Sequence, residues 1–226
     1  MSNVFLFDFD GLLVNTDELH FQAYVLMCKR RGYELEWDYL RFWSLAHADH
    51  LAIRNAIYTE IPSLHKEEPH WEVLYAEKKQ AYLDLLKEGN VKLMPGVEYL
   101  LATLDEKGAK RCVATNSTRE QIELIKGQLP ILNSIPLWIT REDYAQPKPY
   151  PDAYLTAIGK LAVSGDRIIG FEDSVKGLKA LIASGAEAVW ICDQKRASIS
   201  KEIPKDVLHF SSFEECRDLF FCVKQS

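Results

Sequence analysis

Short, almost wholly apolar runs return along this sequence, each followed by a polar turn and a stretch whose apolar residues fall three and four apart. The runs are VFLFDF (4–9), RCVAT (111–115), PLWIT (136–140), RIIGF (167–171), AVWIC (188–192) and VLHF (207–210). The helix-period stretches cover 96–108, 118–129, 151–161, 174–185 and 212–223. A continuous apolar run has no polar face to offer solvent, so such strands belong in a sheet covered on both sides. Strands separated by helices pair in parallel. The expectation is an α/β fold, a Rossmann-like, mostly parallel sheet with helices on both faces. Helix starts carry their own signals: Thr118 with Gln121, and Ser212 with Glu215, have capping-box spacing, and Pro151 suits a first helical turn.

One stretch breaks the alternation. Between 15 and 90 there is no strand signal, only helix-period segments at 16–32, 48–61 and 71–89. A single crossover helix needs far fewer residues. The economical reading is an all-α helical cap subdomain at 15–90, inserted into a core made of 1–14 and 91–226. Gly89-Asn90 has linker chemistry.

Composition narrows the class. With 47% hydrophobic and 27% charged residues the chain is neither disordered nor fibrous. Lys and Arg number 27 against 33 Asp and Glu, a net charge of −6, so the cationic field used in nucleic-acid binding is missing. No run approaches the ~20 apolar residues that span a bilayer, and two carboxylates interrupt the N-terminus before a secretory signal can develop. Five scattered cysteines without a C-x-x-C spacing fit reduced thiols. A cytoplasmic monomer with no nucleic-acid or membrane partner is expected. Lys29-Arg30-Arg31 reads as a complement to the C-terminal dipole of the first cap helix.

Reactive groups of open parallel sheets gather beyond the carboxyl ends of the strands. Read there, the sequence offers Asp8, Asp10 and Gly11 after the first run. Thr115, Asn116 and Ser117 follow the second, Lys148 lies in QPKPYP beyond the third, and Glu172 and Asp173 follow the fourth. Asp8 and Asp10, two apart, share a face if the strand continues. Four acids at one sheet edge repel unless positive charge sits among them. Lys148 supplies one charge and a divalent ion two more. An all-oxygen donor set without His or Cys favours Mg²⁺ over zinc, and such a site takes a substrate phosphate into its shell. The prolines around Lys148 keep it out of any helix or central strand. Thr115-Asn116-Ser117 also suits the cap of the following helix.

In order and composition these four motifs resemble the haloacid dehalogenase superfamily, specifically its phosphoryl-transfer members with a helical cap after the first strand. The resemblance covers about 1–210. It implies a Mg²⁺-dependent phosphatase acting on a small phosphorylated metabolite such as a sugar phosphate. Asp8 would be the nucleophile that becomes an aspartyl phosphate, and Asp10 the acid and then the base. Thr115 and Asn116 would hold phosphoryl oxygens and Lys148 would neutralise them. Asp8, the backbone carbonyl of Asp10 and Asp173 would ligate the metal, with Glu172 assisting or orienting Lys148. The second acid, Asp10, points to phosphate esters, since relatives that cleave other bonds lack it.

In the cap, His20 and Lys78 stand where β-phosphoglucomutase-like members carry a proton-handling histidine and a phosphate-binding lysine. The resemblance thus keeps open a hexose-phosphate mutase. Those mutases place Gly then Arg in a cap loop, where this chain has Ser44-Leu45-Ala46-His47, and His47 is a poor substitute for a guanidinium fork. His47 and His50 have no companions at zinc spacing. A non-catalytic metabolite-binding module is a third reading; it would have lost Asp8, Asp10 or Lys148, and all are present.

Overall fold

The structure, a computed structural model, describes residues 2–46, 48, 51–89, 91–199, 203 and 207–217. Two compact units emerge: Met1–Asn15 together with the chain from Lys92 onward, and Thr16–Val91. In chain order the elements are β1 (Asn3–Phe7), α1 (Thr16–Arg30), α2 (Tyr39–Ala46), α3 (Ala52–Glu60), α4 (Pro62–Glu67) and α5 (Trp71–Lys87). There follow α6 (Val97–Glu106), β2 (Lys110–Ala114), α7 (Arg119–Gln128), β3 (Leu137–Ile139), α8 (Asp152–Leu161) and β4 (Arg167–Glu172). The last are α9 (Val175–Ala183), β5 (Glu187–Ile191), α10 (Gln194–Ile199) and β6 (Leu208–Phe210).

In the first unit the six strands form one sheet in the order β3-β2-β1-β4-β5-β6, with every pairing parallel. All six apolar runs contain strands; in β1, β2 and β5 alternate side chains bury on opposite faces, whereas the edge strand β6 leaves Leu208 and His209 exposed. Val4 and Leu6 of β1 join Cys112, Ala114, Ile139, Tyr154 and Leu181 in one core. On β1's other parity, Phe7 stacks on Phe171 with ring centroids 5.1 Å apart and meets Phe213 edge-on at 6.1 Å. The chain moves outward from β1 to β3 on one side, then crosses to β4 on the other, so β1 and β4 flank the point where strand order reverses. Open α/β sheets bind ligands at that place. The register sets Phe7 level with Val113 and Phe171, so the residues after β1, β2 and β4 emerge together. The chain leaves and re-enters this unit at neighbouring points, for Val14 bridges Leu93 and the Asn15 side chain accepts from the Lys92 amide at 2.7 Å.

The second unit is helical throughout its regular elements. Tyr24, Met27, Trp37, Phe42, Ile57 and Leu74 are buried in its core. The basic run at 29–31 does more than complement a dipole. Arg30 pairs with Asp84 at 2.8 Å, and Arg31 with Glu67 at 2.9 Å and Glu77 at 2.5 Å, tying the end of α1 to α4 and α5.

Three local expectations change. The Thr118–Gln121 capping box forms, whereas Glu215 accepts from the Ser211 amide at 2.8 Å instead of closing a box on Ser212. Residues 213–216 are a turn, and 218–223 lie outside the described residues. Pro151 stands at the cap of α8, one position before its first turn. The buried cysteines Cys28, Cys112, Cys192 and Cys216 are thiols and not disulfides, with burial pushing Cys28 up to about 11 and Cys112 to about 12.

Candidate active site

Asp8 directly follows β1, and its amide still donates to Phe171 of β4 at 3.0 Å, so its carboxylate rises from the sheet's centre. Lys148 comes to it from the proline-stiffened loop before α8. Its ammonium has three N–H donors and three acceptors: Asp8 Oδ1, Glu172 Oε1 at 2.7 Å and the Tyr154 hydroxyl at 2.9 Å. Far from being a solvated loop lysine, Lys148 is 8% exposed. Tyr154, in the first turn of α8, also donates its hydroxyl proton to Glu172 Oε1. Glu172 is wholly buried at the end of β4. Its carboxylate fits because residue 177, in the first turn of α9, is glycine: a Cβ there would collide with it.

The electrostatics follow from burial. Removal from water pushes the Asp8 carboxyl well above the usual carboxylate range, and Glu172 pushes it further, against the pull of Lys148. For Lys148 burial opposes the charge, yet Asp8 and Glu172 together hold it above the ordinary lysine value. Burial, then Glu172 and Asp8, keeps the Tyr154 phenol protonated. Oxygens of Asp8, Glu172 and Asp173 all lie within 4.8 Å of one another. The three buried carboxylates face the Lys148 ammonium and, 3.5 Å from Asp173, the Arg196 guanidinium, which Asp193 also pairs. With Asp193 counted, four carboxylates meet two cations, which leaves excess negative charge, and an all-oxygen set of this spacing suits a hard divalent cation.

Asp10 lies beside this cluster. Its Oδ2 accepts from Ser117 Oγ at 2.6 Å and Thr115 Oγ1 at 3.1 Å, while the Ser117 amide donates to Thr115 Oγ1 at 2.9 Å. Thr118 caps α7, so Thr115 and Ser117 are not spent on the helix start that the sequence allowed them. Asn116 Oδ1 accepts from the Lys148 amide at 3.2 Å and the Tyr144 hydroxyl at 2.7 Å. With its carbonyl so occupied, the side chain's NH₂ is the end left for a ligand. Burial pushes the Tyr144 phenol up to about 12, so it remains a donor.

The structure therefore brings Asp8, Asp10, Thr115, Asn116, Lys148, Glu172 and Asp173 to one sheet edge. His20 and Lys78 belong to the second unit and meet each other, Nζ to Nδ1 at 2.7 Å. A lysine ammonium only donates, so His20 Nδ1 accepts and Nε2 carries the proton. Burial and the Lys78 charge hold His20 well below the usual histidine value. His20 also stacks on Tyr82, with centroids 4.0 Å apart. His47 and His50 lie outside the described residues. Sequence reasoning missed Tyr154 and Tyr144 altogether and did not assign Ser117 to Asp10. Ser117 had a usable signal, two residues beyond Thr115 at a strand end; the tyrosines had none.

A family model described as haloacid dehalogenase-like hydrolase matches residues 5–191. The protein CbbY of Rhodobacter capsulatus is 28% identical over 187 residues, 81% of this chain and 82% of its own. A phosphorylated carbohydrates phosphatase of Thermotoga maritima is 27% identical over 187 residues, 82% of each chain. The crystal structure of CbbY from Rhodobacter sphaeroides in complex with phosphate superposes with a TM-score of 0.71 at 23% identity, covering 95% of this chain and 96% of that one. With four strand-end motifs in sequence and a family match running from β1 to β5, this chain belongs to the haloacid dehalogenase-like hydrolases, and it is an enzyme of their phosphatase kind.

Proposed function

We propose that the chain is a Mg²⁺-dependent phosphatase that hydrolyses a small phosphorylated metabolite of the sugar-phosphate kind. The observation that carries this is the buried Asp8 carboxylate set between Lys148 and the acids Glu172 and Asp173. The relatives' action on phosphorylated carbohydrates supports the substrate class. Residues 1–14 and 91–226 carry the chemistry, and 15–90 form the helical cap. A cytoplasmic monomer is the reading we keep: buried cysteines held as thiols suit a reducing compartment, and no helix among the described residues is long and apolar enough to cross a membrane.

Asp8, Glu172, Asp173 and the Asp10 carbonyl would hold the cation, which supplies charge neutralisation between the Asp8 carboxylate and the phosphoryl group. The Asp8 carboxylate attacks phosphorus, and the bond from phosphorus to the ester oxygen breaks. Asp10 gives its proton to that departing oxygen. Lys148, Thr115 and the Asn116 NH₂ hold the phosphoryl oxygens as their charge redistributes. Asp10, now a carboxylate, takes a proton from water as that water attacks phosphorus, which releases inorganic phosphate and restores Asp8.

Assay of a panel of phosphorylated metabolites with Mg²⁺ or EDTA tests this directly. Release of inorganic phosphate should require the metal, and Asp8→Asn should lower turnover by on the order of 10³-fold or more. Full metal-dependent activity in that variant overturns the nucleophile assignment. The His20–Lys78 pair favours a second reading, a hexose-phosphate mutase. Return of the phosphoryl group to a sugar hydroxyl, with little phosphate released, would establish that instead.

A further inference from the structure

Asp173 is held by two groups that the chemistry above does not use. Trp190 of β5 donates its indole N–H to the Asp173 carbonyl at 3.0 Å. Arg196, in the first turn of α10, brings Nη1 to 3.5 Å from Asp173 Oδ2. Arg196 is 5% exposed, so its charge acts on the acidic cluster with little screening by water. Its direction is set by Asp193. One oxygen of Asp193 caps α10, accepting from the amides of Lys195 at 3.0 Å and Arg196 at 3.1 Å. The other takes Arg196 Nε at 2.6 Å. A guanidinium is a rigid planar fork, so fixing Nε at Asp193 fixes where Nη1 faces.

We propose that Arg196 is a positioning residue for divalent-cation binding: anchored by Asp193, it holds one oxygen of Asp173 and so presets that carboxylate toward Asp8 and Glu172. The proposal rests on reading the cluster of Asp8, Glu172 and Asp173 as a cation site. Two effects of Arg196 oppose each other. Its positive charge repels a cation, while its hold on Asp173 removes the ordering that binding otherwise requires. Asp193 decides the sign, because its ion pair with Nε offsets much of the repulsion and leaves the orientation intact. At 3.5 Å the contact with Asp173 is a charge contact more than a tight hydrogen bond, which suits a carboxylate that must also serve a metal. α10 and the end of β5 thereby become part of the site.

The test is calorimetric titration of Mg²⁺ into the full chain without substrate, with Tm measured in EDTA. Arg196→Gln should raise the Mg²⁺ Kd about 10-fold, the scale on which groups behind metal ligands act, in titrations run well below its Tm in EDTA, which loss of the buried ion pairs lowers. Arg196→Lys keeps the charge and should recover part of that loss. An Arg196→Gln variant that binds Mg²⁺ as tightly as wild type, or more tightly, overturns the proposal. Should that variant fold poorly, Asp193→Asn serves: Asn still caps a helix but releases Nε, and a Kd raised several-fold supports the proposal while an unchanged one overturns it. A wild-type chain that binds no Mg²⁺ removes the cation site itself, a result distinct from equal binding by wild type and variant.

Discussion

Tyr154 places one hydroxyl where Lys148 and Glu172 meet, accepting from the first and donating to the second. Deleting that oxygen leaves the ring's packing intact but lets the ammonium drift between two carboxylates. Tyr154→Phe should therefore lower kcat about tenfold with little change in KM, since a hydrogen bond to a charged group contributes ~1.5–3 kcal/mol and 1.4 kcal/mol is a factor of ten. Steady-state kinetics check this, and an unchanged kcat would show that Lys148 holds its place without the hydroxyl. Asp10 offers a second test at this scale. Protonating the departing oxygen matters for a sugar alcohol and little for p-nitrophenolate, a stable anion. Asp10→Asn should thus slow the first chemical step with a sugar phosphate by ~10²-fold or more and much less with p-nitrophenyl phosphate; equal losses in single-turnover assays would remove Asp10 as the acid. These residues differ in legibility. Asp8, Asp10 and Glu172 could be read because strand ends are marked by where apolar runs stop, and Lys148, nine residues past β3, because the prolines around it exclude helix and central strand. Tyr154 could not: its spacing in α8 is that of a core residue, which it also is, and its hydroxyl acquires meaning only from a lysine and a glutamate delivered by other elements.

Elements were legible where periodicity was strong. The inner strands showed themselves because a run buried on both faces is apolar throughout, the edge strand β6 showed only as a short apolar run although Leu208 and His209 are exposed, and helices with one buried stripe, such as α7 and α9, showed theirs. The short helices α2 and α4 did not stand out: YLRFWSLA has an apolar face but spans only about two turns, too few for it to repeat, and PSLHKE buries a single side chain, Leu64. α10 was silent for the same reason, and with it Arg196. In the second unit, α1 and α5 carry the His20–Lys78 pair, and this makes stability depend on pH. His20 has its pKa held well below the usual value by burial and by Lys78. The unfolded chain then takes up a proton near pH 6.5 that the folded chain refuses, so this residue's contribution falls as pH drops below about 6.5, by up to ~1.4 kcal/mol per pH unit. Asp8, with its raised pKa, acts in the opposite sense and blurs the total. The difference between wild type and His20→Gln isolates the histidine. Chemical denaturation at pH 7.5 and at pH 5.5 should show the variant losing less stability than wild type over that interval; parallel losses would mean that His20 is protonated in the folded chain.

Across the molecule, the acidic cluster sets local stability against chemistry. Three carboxylates with oxygens within 4.8 Å, all nearly out of water, repel by ~3.5 kcal/mol or more per pair at an effective dielectric constant of about 20, and Lys148, with the Arg196 guanidinium that Asp193 also pairs, offsets only part of this. The sheet nonetheless brings them together, because β1 and β4 are neighbours in register and the residues after each emerge at the same level. A cation that binds the folded chain relieves this repulsion and stabilises it by RT ln(1 + [L]/Kd), ~2.7 kcal/mol at a hundredfold excess over Kd. Mg²⁺ should therefore raise Tm, and EDTA should reverse the rise. Asp8→Asn separates the two sides of the balance. Without metal it removes one repelling charge while Glu172 still pairs with Lys148, so the variant should match or exceed wild type in EDTA, by ~1 kcal/mol or about 2–4 °C for a chain of this size. In Mg²⁺ the order should reverse, since the variant has lost a ligand and gains less from the ion. Thermal unfolding of both proteins in EDTA and in Mg²⁺ measures all four terms. If Asp8→Asn is the less stable protein in EDTA as well, Asp8 is there mainly as a partner for Lys148, and the excess negative charge that argues for a cation does not exist.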